Sequence, residues 1–166
     1  MSYQEYRFAS ATGSTLSNFH LCSKKLKIWG LEFSSSEQGY QYFKALFHHR
    51  LDIATQILNE SSSLRCYRLG KRVKTSKLWR AEKVLVMQHI LRHKLYQCQE
   101  FRAELLCNKD KVFVESTNNR FWGRNEQGKG LNTLGVLLHS LVGYWELECL
   151  FNDRGCEWMF CCLGVC

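Results

Sequence analysis

From about Lys77 to Leu95, Trp79, Lys83, Met87, Leu91 and Leu95 recur at four-residue spacing, and Val86, Ile90 and Lys94 widen the same face. That period marks one stripe of a long α-helix, and a chain that forms such a helix must supply partners to cover it. No proline occurs anywhere in the 166 residues, so proline kinks none of its helices. Ser34 to about Phe47 reads as a further helix, with Ser34-x-x-Glu37 as its capping box. Leu51 to about Leu58, Leu64 to Lys71 (ending at Gly70), Gln99 to Leu106 and Thr133 to Leu141 complete the helical set. Short apolar stretches between Tyr6 and Phe33, punctuated by Thr12-Gly13-Ser14 and Trp29-Gly30, read as strands or hairpins. Lys111 to Glu115 alternates like a strand. The expectation is a mainly α (α+β) fold with a small β component.

A length of 166 residues suggests one compact domain, and 45% hydrophobic with 13% aromatic residues excludes a disordered chain. No apolar run nears the roughly 20 residues needed to span a bilayer, and the N-terminus lacks a signal-like apolar stretch. An odd count of nine cysteines then points to free thiols in a reducing compartment, so a cytosolic or nuclear location is expected. The net charge of +8 is uneven. After Val142 there are four acids and one base, about −3, which leaves about +11 on the rest. Such an excess favours phosphates, nucleotides or nucleic acid as partners. A basic surface kept for solubility fits the same number.

On the helix from Ser34, the residues Glu37, Gln41, Lys44 and His48 share one face. Two readings fit them: a polar, reactive cluster, or a solvated side with Glu37 as the capping acid. Eight basic residues lie between Arg65 and Lys83, with Glu82 the sole acid and Trp79 among them. They suit a nucleotide that offers charge and a stackable ring together, while a solvated helix anchored by a core Trp79 is the alternative. From Glu115 to Gly135 the chain mixes glycines, amides and Trp122, a composition fit for a pocket wall or for a long surface turn. The terminal Cys156, Cys161, Cys162 and Cys166 lack the paired spacing of common zinc sites, so no metal is expected.

Taken together, several motifs resemble the NADAR family of YbiA-like N-glycosidases. Leu16-Ser17-Asn18-Phe19 resembles the family's F-S-N-F entry, and Ser36-Glu37 through Lys44-Ala45 its S-E-H-Y-Y-Q-x-x-K-A helix. Leu69-Gly70-Lys71 stands at its G-R, and Trp79-x-x-x-Lys83-x-x-x-Met87 matches W-x-x-x-K-x-x-x-M. Val114-Glu115 through Trp122-Gly123 is similar to V-E-x-x-x-D-x-x-W-G, and Gly130-Leu-Asn132-Thr-Leu134-Gly135 to G-x-N-x-L-G. The resemblance spans about Leu16 to Leu141, so a domain over residues 1–142 and a cysteine-rich appendage over 143–166 are expected.

What the resemblance implies is a YbiA-like fold that hydrolyses N-glycosidic bonds without metal or redox cofactor. The implied substrates are ADP-ribosylated guanine, free or in nucleic acid, and ribosylamino-pyrimidine phosphates of riboflavin synthesis. Glu37 would be the catalytic carboxylate, and Trp79 and Trp122 would stack on a base or frame the pocket. Lys44, Lys71 and Arg68 would hold phosphate, and Asn132 with the backbone near Gly130 would fix ribose or phosphate. Asn18 would line the opposite wall, and Gln41 and Gly123 would complete the substrate contacts. Asn119 stands where the family carries Asp, with Glu115 the nearby carboxylate that could substitute. An amide cannot take up a proton, so that departure sets a second reading beside the hydrolase: a module that binds ADP-ribose without cutting it. Gln38 for His and Lys71 for Arg are further departures.

Overall fold

The computed structural model describes residues 4–151. The cluster of Cys156, Cys161, Cys162 and Cys166 lies outside them. In chain order the described elements are β1 (Glu5–Phe8), a 3-10 turn (Ser10–Thr12), β2 (Leu26–Ile28), β3 (Leu31–Phe33), α1 (Ser36–Phe47), α2 (Leu51–Leu58), α3 (Ser63–Lys71), α4 (Lys77–Gln97), α5 (Gln99–Cys107), β4 (Val112–Glu115) and α6 (Thr133–Phe151). This is the mainly α composition with a small β component that the periodicities predict. The elements pack as two units, one of residues 17–98 and one of residues 4–16 with 99–151.

In the unit of residues 17–98, α1, α2 and α3 pack pairwise around Ala45, Ile53, Ala54, Ile57, Cys66 and Val73. α4 lies against α1 and β2 and buries Met87, Ile90, Leu91 and Leu95, the stripe that its four-residue spacing predicts. β2 and β3 form an antiparallel hairpin whose turn is Trp29-Gly30, both at positive φ. Lys94, although on the apolar stripe, is fully buried and donates from Nζ to the Ser17 carbonyl at 3.1 Å.

In the other unit, β1 pairs with β4 in parallel, Glu5 to Phe8 against Val112 to Glu115, and α6 packs on β4. α6 buries Leu134, Leu137, Leu138, Leu141 and Val142. The helix does not stop at Leu141 but continues through Gly143 to Phe151, because no helix-breaking residue interrupts Tyr144 to Phe151. Arg102 lies over the Trp145 ring at 5.1 Å, so that part of the expected appendage packs on α5. Over its 19 residues α6 is apolar enough to cross a membrane by length and composition, yet its apolar first half is used against β4. Glu104 ties β1, the following loop and α5 together by accepting from the Tyr6 hydroxyl (2.8 Å), Ser14, and the Thr15 amide (2.8 Å) and hydroxyl (2.6 Å).

The glycine- and amide-rich segment is fastened to β4 by its own backbone. Arg124 N–H donates to the Glu115 carbonyl at 2.8 Å and Leu134 N–H to that of Trp122 at 2.9 Å. Asn132 is 3% exposed, and its Nδ2 donates to the Phe113 carbonyl (2.7 Å) while its Oδ1 accepts from the Glu115 amide (3.1 Å). It therefore stands in for a neighbouring strand at β4's open edge. Removing it leaves two strand groups unsatisfied, each worth about 1–3 kcal/mol when buried. Asn132→Ala is expected to lose about 1–3 kcal/mol or more of stability, read as a lower denaturation midpoint at unchanged slope.

Candidate active site

The candidate site is built on the first two turns of α1. Ser35, not Ser34, caps the helix: its Oγ accepts from the Gln38 amide at 3.1 Å and receives the Ser63 hydroxyl at 2.9 Å. The Glu37 amide donates to the Asn18 carbonyl at 2.9 Å, which holds the Asn18 loop against the helix start. Gln38 spans the gap to the end of α2, accepting from the Ser34 amide and donating to the carbonyls of Ile57 (2.9 Å) and Glu60 (2.7 Å). An amide with one acceptor and two donors suits that bridge, so Gln38 in place of His has an architectural use here.

The capping-box and solvated-side readings of Glu37 both fail, because its side chain is 6% exposed and reaches along the helix. Gln41 Nε2 donates to Glu37 Oε1 at 2.7 Å, and Lys44 supplies positive charge from the next turn. Burial pushes the Glu37 carboxyl up, and the Gln41 hydrogen bond and Lys44 charge offset only part of this, so it titrates at about 7. Burial drives the Lys44 ammonium down to about 8, against the pull of Glu37. Glu104 shows the opposite balance: burial would raise it, but hydrogen bonds from Ser14, Thr15 and Tyr6 outweigh that and hold it below the usual carboxylate range. Of these two carboxyls, only Glu37 is poised to exchange a proton near neutrality.

Around Glu37 lie buried oxygens that no protein donor satisfies: Asn18 Oδ1, Gln41 Oε1 and Ser36 Oγ. Unsatisfied buried acceptors are costly, so they are suited to a ligand carrying hydroxyl groups. Gln41 owes its position to Gly70 on α3. A Cβ at residue 70 would lie 1.8 Å from Gln41 Oε1 and 2.5 Å from its Cδ, so the amide rests where any other side chain would begin. His48, the fourth residue of the face, is a strut instead: Nδ1 meets the Lys44 carbonyl at 2.8 Å and Nε2 accepts from the Ser76 amide at 3.0 Å.

Trp79 is 2% exposed, so it is not an exposed stacking surface for a base. Its ring packs on Tyr40 (5.6 Å), Phe47 (5.3 Å) and His48 (5.8 Å), and it hydrogen-bonds the Tyr40 side chain. Burial, then the nearby Glu37 charge, keep the Tyr40 hydroxyl protonated far above its ordinary range. Trp79 thus frames the Glu37 face from behind through Tyr40. Arg68 and Lys71 are exposed on α3, Lys71 with its ammonium 4.8 Å from the Tyr67 ring centre. The structure brings Glu37, Gln41, Lys44 and Asn18 together on one face and leaves Arg68 and Lys71 at the surface.

The residues expected from the other unit divide differently. The Asn132 amide spends one donor and one acceptor on β4, which fixes its orientation against the strand. Gly123 and Gly130 are close-approach positions: a Cβ at Gly130, where φ is +144°, would meet the Gly123 carbonyl at 2.1 Å, and one at Gly123 the Glu115 carbonyl at 2.2 Å. Asn119 is exposed, and its Oδ1 accepts from the amides of Phe121 (3.2 Å) and Trp122 (3.4 Å). An aspartate oxygen would accept the same bonds, so the Asp-to-Asn departure preserves this turn. Glu115 ends β4 half-buried, and Trp122 is half-buried with its ring edge-to-face on Phe121 at 4.9 Å.

The chain belongs to the NADAR domain family, whose model matches residues 5–142. The N-glycosidase YbiA of Escherichia coli (strain K12) is 36% identical over 126 residues, covering 74% of this chain and 77% of that protein. A riboflavin biosynthesis protein of Vibrio vulnificus (strain YJ016) is 29% identical over 126 residues, 74% of this chain but 33% of that protein. The NMR structure of E. coli YbiA superposes with a TM-score of 0.76 at 31% identity over 91% of each chain.

Ser36, Tyr40 and Gly70 join the site although spacing alone did not single them out; the Ser34-Ser35-Ser36 run and the glycine inside a helical pattern were the available signals. Gly70→Ala is expected to expel Gln41, break its bond to Glu37 and raise the Glu37 titration above about 7. Carboxyl NMR titration of the labelled protein checks this. A midpoint unchanged from the native protein would show that Gln41 does not depend on Gly70.

Proposed function

We propose that the protein hydrolyses the bond between a ribose carbon and a base nitrogen, with ADP-ribosylated guanine or a ribosylamino-pyrimidine phosphate as substrate. The observation that carries this is the desolvated Glu37 carboxylate, hydrogen-bonded by Gln41, beside Lys44 and unsatisfied acceptors. Relatives named N-glycosidase and riboflavin biosynthesis protein support the reaction class. As the C1′–N bond stretches, positive charge gathers on the ribose ring. A carboxylate in a poorly solvated site stabilises that charge strongly, or takes the proton of the attacking water. Water adds at C1′, and the base leaves with the bonding pair and a proton. Lys44, and on the surface Arg68 and Lys71, suit phosphate oxygens, and Asn18 Oδ1 and Gln41 Oε1 suit ribose hydroxyls. Asn119 keeps the turn that an Asp would make, and turnover gained by Asn119→Asp would favour the binding-only reading.

Incubating the purified chain with both substrate classes and measuring released sugar tests the reading. Glu37→Gln is expected to cost about 10²- to 10⁴-fold or more in turnover. The variant should still fold: Glu37 titrates at about 7 when folded against 4.5 for an ordinary Glu, so its share of stability is greatest at low pH and is lost as pH rises from about 4.5 to 7. Gln removes that loss, and a thermal melt above pH 7 checks it. Release of sugar by the variant at the native rate would remove Glu37 from the reaction.

The same groups set a pH profile. With ionised Glu37 and protonated Lys44 both required, kcat/KM should rise through about 7 and fall through about 8, a narrow bell. Lys44→Met should move the rising limb to higher pH, because it deletes a charge that favours the carboxylate. A flat profile from pH 6 to 9 would contradict this assignment.

A further inference from the structure

Within the unit of residues 17–98, a cleft of about 220 Å³ opens where the β2–β3 turn meets α1 and α4. Its aromatic walls are Trp29, Phe43, Phe47 and Trp79, with Ile90 as an aliphatic wall and His89 as the one polar ring. Trp29 is unusual twice over. It holds φ +48°, a left-handed conformation that two-residue hairpin turns ordinarily give to Asn, Asp or Gly, and it is 70% exposed although it is the largest apolar side chain. Phe43 meets it edge-on at 5.1 Å and His89 stacks on it at 4.7 Å and 22°. An indole held at this strained corner and left open to solvent is not serving a core.

A chain of hydrogen bonds decides what His89 offers. Gln97 Oε1 accepts from the Lys27 amide (2.8 Å) and its Nε2 donates to the Lys27 carbonyl (2.9 Å), which fixes the amide's orientation. The remaining N–H of Nε2 therefore points to His93 Nδ1, at 3.2 Å. A neutral His93 then carries its proton on Nε2 and donates to His89 Nε2, also at 3.2 Å. His89 is left with Nδ1–H as a donor, and no described protein acceptor takes it. Burial, then the neighbouring His89, lower the His93 titration, which favours the neutral ring this relay needs.

We propose that this cleft is a second binding site, for one planar nitrogen heterocycle that stacks among the aromatic walls and accepts from His89. The volume is below the ~300–1,000 Å³ of sites for drug-sized ligands, so it suits a single ring system. An aromatic box also takes alkylammonium cations, but a cation cannot accept from the His89 N–H, whereas a ring nitrogen can. The cleft shares the buried Trp79 with the wall behind Glu37, but Trp29 and His89, on which the proposal rests, belong to no part of the Glu37 face.

The test is titration of the full chain into free 2-aminopurine, whose fluorescence drops on stacking and which has no glycosidic bond to cut. Saturable quenching by the native chain is expected, with affinity reduced roughly 10-fold or more in Trp29→Gly, the loss that follows removal of a stacked aromatic. Glycine adopts the turn's φ readily, so that variant should keep its melting temperature within a few degrees. His89→Phe, which keeps a ring and deletes the donor, should weaken 2-aminopurine but not indole. Glu37→Gln should bind as the native chain does. Absent quenching, equal affinity in Trp29→Gly, loss of binding in Glu37→Gln, or displacement by choline would each overturn the proposal.

Discussion

Keeping the Glu37 carboxylate out of water is the constraint around which residues 17–98 are arranged. A lone buried carboxylate is expensive enough that it ordinarily takes up a proton. Here the α1 N-terminus, the Gln41 amide and the Lys44 charge each reduce that cost without cancelling it. The result is an acid that changes state near neutral pH. Each compensating group depends in turn on a neighbour: α1 on the Ser35–Ser63 cap, Gln41 on the bare Cα of Gly70, and the Tyr40–Trp79 wall on its own hydrogen bond.

Glu104 makes the logic visible by contrast. It is also withdrawn from solvent, yet three side chains and a backbone amide donate to it, and its charge is held firmly. One carboxylate takes four donors and keeps its charge, and the other takes one, from Gln41, and titrates near neutrality. The difference lies in donor count and in depth, Glu37 being buried and Glu104 half-buried, not in residue type.

The glycine- and amide-rich segment between Glu115 and Gly135 serves architecture more than the sequence suggests. Asn132 substitutes for a missing strand, Gly123 and Gly130 allow backbones to touch, and Asn119 closes a turn. Amides and glycines are chosen for a ligand wall and for a tightly folded loop by the same properties, so composition could not separate the two. Trp79 misled similarly. Basic neighbours along the chain suggested an exposed ring, but helical geometry turns Trp79 inward with Met87 and Ile90 while Arg80 faces solvent.

What the sequence determined by itself was periodic or ordered along the chain. The α4 stripe, the helical spacing of Glu37, Gln41 and Lys44, and the order of motifs sufficed for the fold class and the family, because helical period and motif order are properties of neighbours in the chain. Only the tertiary structure decided that the Glu37 face is buried, that Gly70 seats Gln41 and that Asn132 is fastened to β4. Those outcomes rest on desolvation and on contacts between residues distant in sequence, and no local pattern encodes how much water a folded chain will exclude from one carboxylate.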